Sequence, residues 1–262
     1  MLELNKIYNI DCIEGMKLID DKSIDMIFVD LPYEVTANNQ WDIIIPFNLM
    51  WEQFERIIKD NGAILLFSQG LFSAKLALSN EKLYRYDIIW EKTTPTGFLN
   101  ANRMPLRSHE QILVFYKNLP TYNPQKTTGH ERKIVKAWHQ DKCGDKTKDY
   151  GTHNSSDYDS TERYPTSVWT FPTDKQNCSI HPTQKPIDLC RYAIKTYTNE
   201  GDIVLDCCCG SGSIPLAAKM ENRNYIGMDN GICIKPNTDY HNKPYAEIAQ
   251  QRCDNYKIKK LF

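Results

Sequence analysis

The 262-residue sequence predicts an α/β fold in which a single sheet, flanked by helices, carries an inserted lobe. Two observations lead to this prediction. Apolar segments with the length of strands alternate with amphipathic segments in the first and last thirds of the chain. Between them, residues 118–180 show no sustained period, are too long for an ordinary loop and carry interleaved aromatic side chains, which favours a partly ordered lobe.

The first third contains the clearest of these elements. Residues 24–29 form an apolar run that ends at Asp30, as a buried parallel strand does. Pro46 is expected to open an amphipathic helix whose apolar side chains recur as far as Ile58, and the Asn-Gly pair at 61–62 is expected to stop it. The other elements predicted here are strands at 63–67, 86–90 and 111–116 and a helix at 71–78.

The last third resumes the alternation of helices and strands. The predicted elements are a helix at 189–197, a strand at 203–207, a helix at 214–220 and a strand at 225–228. We therefore expect residues 1–117 and 181–262 to form two halves of one domain, with residues 118–180 inserted between them.

Composition argues against several classes of protein. No run of about 18 apolar residues occurs, so we expect no membrane span, and the N-terminus lacks the features of a secretion signal, which predicts a cytoplasmic protein. Nine cysteines, an odd number in a chain of this size, favour reduced thiols over disulfides. Neighbours in a strand point to opposite faces, so Cys207, Cys208 and Cys209 are not expected to bind one metal ion.

Basic residues are concentrated in one segment, although the net charge of the whole chain is close to zero. The formal net charge is −1, yet the segment between Lys117 and Lys148 has eight basic residues and three acidic ones, a net charge of +5. A basic segment of this kind is typical of a surface that contacts DNA phosphates, and equally of a solvated loop. The candidate DNA-binding residues in it are Arg132, Lys133 and Lys136.

The strongest cofactor signal is the segment at 206–213, which reads Asp-Cys-Cys-Cys-Gly-Ser-Gly-Ser. It follows a predicted strand and opens a predicted helix, where glycines let the backbone approach a ligand and the helix end offers free N–H groups. Asp229 ends the next strand and is placed to accept hydrogen bonds from ribose hydroxyls. The G-x-G spacing favours a nucleoside with a small charged tail over a dinucleotide, although a tight turn alone also uses glycines.

The segment at 30–33, Asp-Leu-Pro-Tyr, stands where the first predicted parallel strand ends, the edge at which such sheets bind ligands. The exocyclic amine of a nucleobase is a poor nucleophile. A carboxylate and a main-chain carbonyl that accept its N–H bonds pull the nitrogen toward tetrahedral geometry, and a proline directs that carbonyl. An aromatic ring stacks on the base, which is first flipped out of the duplex. The alternative is an ordinary turn.

These segments resemble those of a known family. Residues 30–33 resemble the D-P-P-Y motif of amino-group DNA methyltransferases, and residues 206–213 resemble their D-x-F-x-G-S-G cofactor motif. The H-P-T-Q-K-P segment at 181–186, the opening at 9–12 and the Arg-Ser-His-Glu segment at 107–110 are similar to the β class of that family. The resemblance implies a Rossmann-like, circularly permuted S-adenosylmethionine-dependent methyltransferase fold, with residues 118–180 as a target-recognition insert.

The resemblance also implies a role for each matching residue. Those that would hold the flipped base are Asp30, Leu31 (through its carbonyl), Pro32 and Tyr33. Those that would bind S-adenosyl-L-methionine are Asp11 at its adenine with Cys12 beside it, Asp30, Thr183 and Lys185 near its carboxylate, Asp206, Gly210, Ser211, Gly212 and Ser213 at its methionine end, and Asp229 and Asn230 at its ribose. The implied partners are duplex DNA, a second copy of the chain and a cognate restriction enzyme.

The sequence departs from the family pattern at four positions. Leu31 replaces the first proline, Ile10 a glycine, Cys208 a phenylalanine and Glu34 a small residue, and none of these removes a group that the reaction requires. A motif that begins with Asp favours N6 of adenine over N4 of cytosine. The alternatives are an N4-cytosine DNA methyltransferase, a methyltransferase acting on RNA, protein or a small molecule, and a non-catalytic DNA-binding module.

Overall fold

A computed structural model describes residues 2–33, 44–137, 156–174, 184–234 and 238–256. Its strands are β1 (Lys6–Tyr8), β2 (Ile24–Val29), β3 (Ile58–Ser68), β4 (Tyr84–Thr96), β5 (Arg107–Phe115), β6 (Lys133–Val135), β7 (Tyr158–Ser160), β8 (Val168–Phe171), β9 (Ile203–Asp206) and β10 (Asn224–Met228). Its helices are α1 (Cys12–Lys17), α2 (Phe47–Ile57), α3 (Gly70–Ser79), α4 (Ile187–Tyr197), α5 (Ser213–Met220) and α6 (Tyr245–Asn255), with a single 3-10 turn at Phe98–Asn100. Within these ranges, no helix combines the length and apolar character that a membrane span requires.

Eight of these strands form one sheet in the order β1-β10-β9-β2-β3-β5-β4-β8. Strand β5 runs antiparallel to β3 and β4, whereas every other pair is parallel. The chain proceeds outward from the middle of the sheet in both directions, from β2 to β3 on one side and from β9 to β10 on the other. The carboxyl ends of β2 and β9 therefore flank a topological switch point, where open α/β sheets bind ligands.

Strand β2 is apolar on both faces because helices cover both sides of the sheet. Met26 and Phe28 pack into the cluster that contains α4 and α5, while Ile27 and Val29 pack into the cluster that contains α1, α2 and α3. All four side chains are fully buried, and each contributes about 1.5–3 kcal/mol through removal of its apolar surface from water. This two-sided burial explains the continuous apolar run that identified the strand in the sequence.

The predicted stop of α2 at residues 61–62 is wrong. The helix ends at Ile57, and Ile58 already has an extended backbone and pairs with Ile24. Residues 61–62 lie in an irregularity of β3, where the register with β2 shifts before Ala63 pairs with Met26. A Cβ on Gly62 would lie 2.8 Å from the carbonyl oxygen of Asp25, so this glycine permits a close approach of two backbones and does not end a helix.

The middle of the chain forms a smaller compact unit. Residues Pro124–Thr166 make up this unit, and Met1–Asn123 together with Ser167–Phe262 make up the other. The small unit contains the antiparallel β6–β7 pair and an isolated bridge between Thr127 and Arg163. It is narrower than the insert expected at 118–180, because β8 pairs with β4 and belongs to the large sheet.

Candidate active site

The two segments singled out in the sequence meet in one cavity. Ile27 of β2 lies opposite Leu205 of β9, so Asp30 and Asp206 end adjacent parallel strands at the same edge of the sheet. The cavity at this edge has a volume of about 630 Å³, enough for a cofactor-sized molecule. The predicted site residues that line it are Asp11, Cys12, Asp30, Leu31, Pro32, Tyr33, Lys185, Asp206, Gly210, Ser211, Ser213, Asp229 and Asn230.

The other predicted site residues lie elsewhere. Gly212 does not line the cavity but forms the turn beneath it, and Thr183 lies outside the described residues, as does Glu34. The candidate DNA-binding residues all belong to the unit Pro124–Thr166. They are Arg132, Lys133 and Lys136.

Both glycines of the turn after β9 have positive φ, and Gly212 is in addition packed against a helix. Gly210 has φ of 48°, and its N–H donates to Asp229 at 2.7 Å. Gly212 has φ of 78° at the start of α5, and a Cβ there would lie 2.7 Å from the Cβ of Ala249 in α6. A side chain at Gly212 would thus meet both an unfavourable backbone conformation and a packed helix.

Asp229 connects two loops that line the cavity. One carboxylate oxygen accepts the N–H of Gly210 at 2.7 Å, and the other accepts the N–H of Gly231 at 2.8 Å. Each oxygen keeps a second acceptor position, which suits a pair of ribose hydroxyls. Burial raises the pKa of Asp229, and the two N–H bonds oppose that rise.

Two serine hydroxyls lie at the start of α5, and one of them has no hydrogen-bond partner among the described residues. The Oγ of Ser213 is buried and has no hydrogen-bond partner among the described residues, although the residue lines the cavity. The hydroxyl of Ser211 donates to Gln184 at 3.0 Å. An unsatisfied hydroxyl at a helix N-terminus fits the charged tail of a nucleoside cofactor such as S-adenosyl-L-methionine.

Further polar side chains of the cavity lie at the start of α1 and at the end of β9. Asp11 lines the cavity and also caps α1, accepting the N–H of Ile13 at 2.9 Å. A hydrogen bond with Cys208, together with burial, raises the pKa of the Cys12 thiol. Asp206 is 2% exposed, and burial raises its pKa well above the ordinary value. No group of three or more His, Cys, Asp or Glu side chains that could hold a metal occurs in the described part of the chain.

Asp30, which is 22% exposed and also lines the cavity, begins a chain of charges whose other members are more deeply buried. The Tyr33 hydroxyl donates to one Asp30 oxygen at 2.7 Å, and the Lys185 ammonium lies 2.9 Å from the other. Lys185 also lies 3.1 Å from Glu110, whose second oxygen is 2.6 Å from the ammonium of Lys92. The resemblance suggested only that Lys185 lies near a cofactor carboxylate, so its position between Asp30 and Glu110 is a structural finding.

The charges around Asp30, Glu110 and Lys185 change the ionisation of these three groups. Burial raises the pKa of Asp30, and Lys185 opposes that rise. Burial also disfavours the charged forms of Glu110 and Lys185, but their opposite charges outweigh it: the pKa of Glu110 is lowered by Lys185 and Lys92, and that of Lys185 is raised by Asp30 and Glu110. The ionised form is thereby favoured for Glu110 and Lys185.

Sequence reasoning missed Lys92 and gave Glu110 no role of its own. A signal for Lys92 exists in the alternation of β4, where it follows Ile88 and Trp90 on the face that packs into the core. A lysine at an apolar position of a strand indicates a buried ion pair. No such signal identifies its partner on β5.

Comparisons with known proteins agree with this geometry. A family model described as DNA methylase matches residues 24–235. Among curated relatives, the type II methyltransferase M1.MboII of Moraxella bovis is 27% identical and the match covers 87% of this chain and 93% of that protein. M.HpaI of Haemophilus parainfluenzae is 28% identical, with 94% and 73% covered, and M.HinfI of Haemophilus influenzae is 27% identical, with 95% and 68% covered.

Solved structures agree on the fold. The M1.HpyAVI–SAM complex superposes with a TM-score of 0.59 at 22% identity, covering 94% of this chain and 98% of that one. The cytosine-N4-specific PvuII DNA methyltransferase has a TM-score of 0.62 at 12% identity, covering 96% and 93%. These findings confirm the Rossmann-like methyltransferase fold, in a family whose methyl donor is S-adenosyl-L-methionine. Because the DNA methylase model matches most of its length, the chain belongs to the N6/N4 family of DNA methylases.

Proposed function

We propose that the chain is a site-specific DNA methyltransferase that methylates N6 of an adenine flipped out of duplex DNA. The observation that carries this proposal is the shared cavity, which brings the Asp30 carboxylate and the glycine turn at 206–213 to one edge of the sheet. When bound, S-adenosyl-L-methionine supplies the methyl group. The protein contributes alignment and electrostatics.

The cofactor-binding residues divide by position in the cavity. Asp229, with Asn230, would accept the ribose hydroxyls, and Asp11 with Cys12 would border the adenine. The residues expected at the methionine end are Asp206, Gly210, Ser211, Gly212 and Ser213, with Thr183 remaining a prediction. The unsatisfied hydroxyl of Ser213 supports this assignment.

The catalytic residues act on the amine of the base. Asp30 accepts one N–H, and its oxygens have acceptor positions left after the bonds from Tyr33 and Lys185. The Leu31 side chain is 4% exposed and packs in the core, which supports a role for its backbone carbonyl and is compatible with leucine in place of proline there. Pro32 directs that carbonyl, and the Tyr33 ring stacks on the base.

The carboxyl edge of the sheet suits contact with DNA. The loop between β4 and β5 carries exposed apolar side chains, Phe98 (80% exposed) and Leu99 (98%), close in sequence to exposed Arg103 and Arg107. No acidic residue occurs at 92–109, and Arg107 also lines the cavity. Apolar and basic side chains of this kind fit an opened duplex.

The small unit gives weaker support than its sequence suggested. It contains eight basic and seven acidic residues, a net charge of +1. Arg132 pairs with Asp159 at 2.6 Å, and Lys136 pairs with Asp157 at 2.6 Å. We retain Arg132, Lys133 and Lys136 as candidate DNA contacts, since exposed ion pairs of this type contribute little and can exchange for phosphates.

The remaining assignments extend the proposal. The motif that begins with Asp30 favours adenine, and an N4-cytosine enzyme is the alternative within the family. Because the matched relatives are type II methyltransferases, we propose that a cognate restriction enzyme accompanies this one. A homodimer and a cytoplasmic location stay predictions from the sequence.

Transfer of labelled methyl groups tests the proposal. The purified chain should methylate duplex DNA in preference to RNA or protein, and digestion of the product should yield N6-methyl-2′-deoxyadenosine. Asp30→Ala should abolish transfer while the fold persists. Asp60→Ala is the matched control, because Asp60 is an exposed carboxylate paired with Lys22 and Lys117. Near-normal turnover by Asp30→Ala, or N4-methylcytosine in the product, would contradict the corresponding part of the proposal.

A further inference from the structure

Four charged side chains from four separate segments converge at the cavity, which all four of them line. Asp30 follows β2, Lys92 lies in β4, Glu110 lies in β5 and Lys185 precedes α4. They alternate in sign, and successive charged atoms lie 2.6–3.1 Å apart from Lys92 to Asp30. We refer to these four residues as the charge chain.

Burial of the charge chain is hard to explain by stability alone. The side chains of Lys92, Glu110 and Lys185 are 6%, 12% and 9% exposed, and the Lys185 ammonium lies 4.9 Å from the centre of the Phe67 ring. Removing several ions from water costs several kcal/mol each, and well-packed apolar residues at such positions are often at least as stable. A cluster of this kind that ends at a cavity indicates function.

We propose that Glu110 and Lys92 are positioning residues for methyl transfer, which hold Lys185 against Asp30 and so keep that carboxylate correctly oriented for the base amine. The inference rests on the proposed role of Asp30. Glu110 binds the same Lys185 ammonium that pairs with Asp30. This second contact holds the ammonium in one position relative to the Asp30 carboxylate. Lys92 balances the charge of Glu110, so that Glu110 does not draw Lys185 away from Asp30.

The arrangement of charges predicts that substitutions of the two lysines and substitution of Glu110 shift the ionisation of Asp30 in opposite directions. The charged groups that act on Asp30 are Lys185, which favours its ionised form, and Glu110 and nearby Asp206, which disfavour it; the Tyr33 hydroxyl favours it. Removing the positive charge of Lys185 should therefore move the acidic limb of the rate–pH profile to higher pH. Removing that of Lys92 should move it in the same direction, because the negative charge of Glu110 is then no longer balanced. Removing the negative charge of Glu110 should move it to lower pH.

The experiment measures single-turnover methylation of duplex DNA against pH, with cofactor and DNA saturating. Lys92→Met should lower the maximal rate about tenfold and shift the acidic limb upward, whereas Glu110→Gln should lower the rate and shift the limb downward. In each variant, the Kd for S-adenosyl-L-methionine and the KM for DNA should stay within threefold of wild type. Loss of stability alone would not shift the acidic limb upward in one variant and downward in the other.

A second variant covers the case in which single changes prevent folding. The double change Lys92→Met with Glu110→Gln removes both charges, leaves the Lys185–Asp30 pair and should fold at least as well as wild type. Its maximal rate should fall about 100-fold, the loss expected from misplacing a catalytic group by about 1 Å. The matched control is Lys22→Met with Asp60→Asn, which removes an exposed lysine–carboxylate pair and should leave the rate unchanged.

The outcomes separate the two proposals. Substantial activity in Asp30→Asn would show that the amine is activated elsewhere and would overturn the proposed function itself. If Asp30→Asn is inactive while Lys92→Met with Glu110→Gln retains the wild-type rate and pH profile, only the positioning role is overturned. If Lys185→Met weakens cofactor binding tenfold or more and leaves the acidic limb in place, Lys185 serves the cofactor and the positioning role is again overturned.

Discussion

Asp229→Asn tests how the nucleoside end of the cavity works. In wild type, the two carboxylate oxygens accept the N–H groups of Gly210 and Gly231 at 2.7 and 2.8 Å. Asparagine is nearly isosteric but replaces one oxygen with an NH₂ group, which can only donate. One of the two glycine N–H groups therefore loses its acceptor, and the remaining oxygen is uncharged.

The magnitude follows from these contacts. A hydrogen bond to a charged group contributes about 1.5–3 kcal/mol, but the variant also avoids the cost of the buried charge that raises the pKa of Asp229. We therefore expect the apo protein to lose only about 1 kcal/mol of unfolding free energy. Hydrogen bonds from ribose hydroxyls to a carboxylate have no such compensation, so cofactor binding should weaken by about 2 kcal/mol, or about 30-fold in Kd.

Two measurements separate these effects. Denaturant unfolding without cofactor reports the loss of the loop contacts, and titration calorimetry with S-adenosyl-L-methionine reports the loss in binding. Asp254→Asn, a change on α6 that affects only a hydrogen bond from Gln250, is the matched control. A Kd within threefold of wild type would refute the reasoning, since Asp229 would then connect the two loops without contacting the ribose.

Three further outcomes follow from the structure. Gly212→Ala should lower the free energy of unfolding by about 2 kcal/mol or more, measured in denaturant, because it adds a Cβ at positive φ against α6. Burial raises the folded-state pKa of Asp206, so this group lowers wild-type stability as pH rises from the ordinary aspartate pKa through the raised value; Asp206→Asn should make the fall smaller, with the remainder due to Asp30 and Asp229, which unfolding across pH 4–8 would reveal. Replacing Arg132, Lys133 and Lys136 with Ala together should reduce the slope of log affinity against log salt by about one for each side chain that contacts phosphate, measured by DNA titration at several salt concentrations.

Local patterns in the sequence predicted most of the elements that carry the site. The apolar run of β2 and the turn at 206–213 each depend on residues close together in the chain, so burial on two faces and glycine conformations could be inferred without the fold. Elements too short to show a hydrophobic period were not predicted from the sequence. Strand β1 has three residues and α1 has six, too few for a period to be visible.

The sequence by itself determined the class of fold, the family and the two segments that form the cavity, because strand and helix periods, glycine turns and short motifs are local properties. Only the tertiary structure decided which charges meet. Lys92, Glu110 and Lys185 lie far apart in the chain and come together because β4 and β5 pair beside the carboxyl edge of the sheet. Likewise, the acidic partners of Arg132 and Lys136 come from the following strand segment, so the charge of that surface depends on pairing that no local pattern contains.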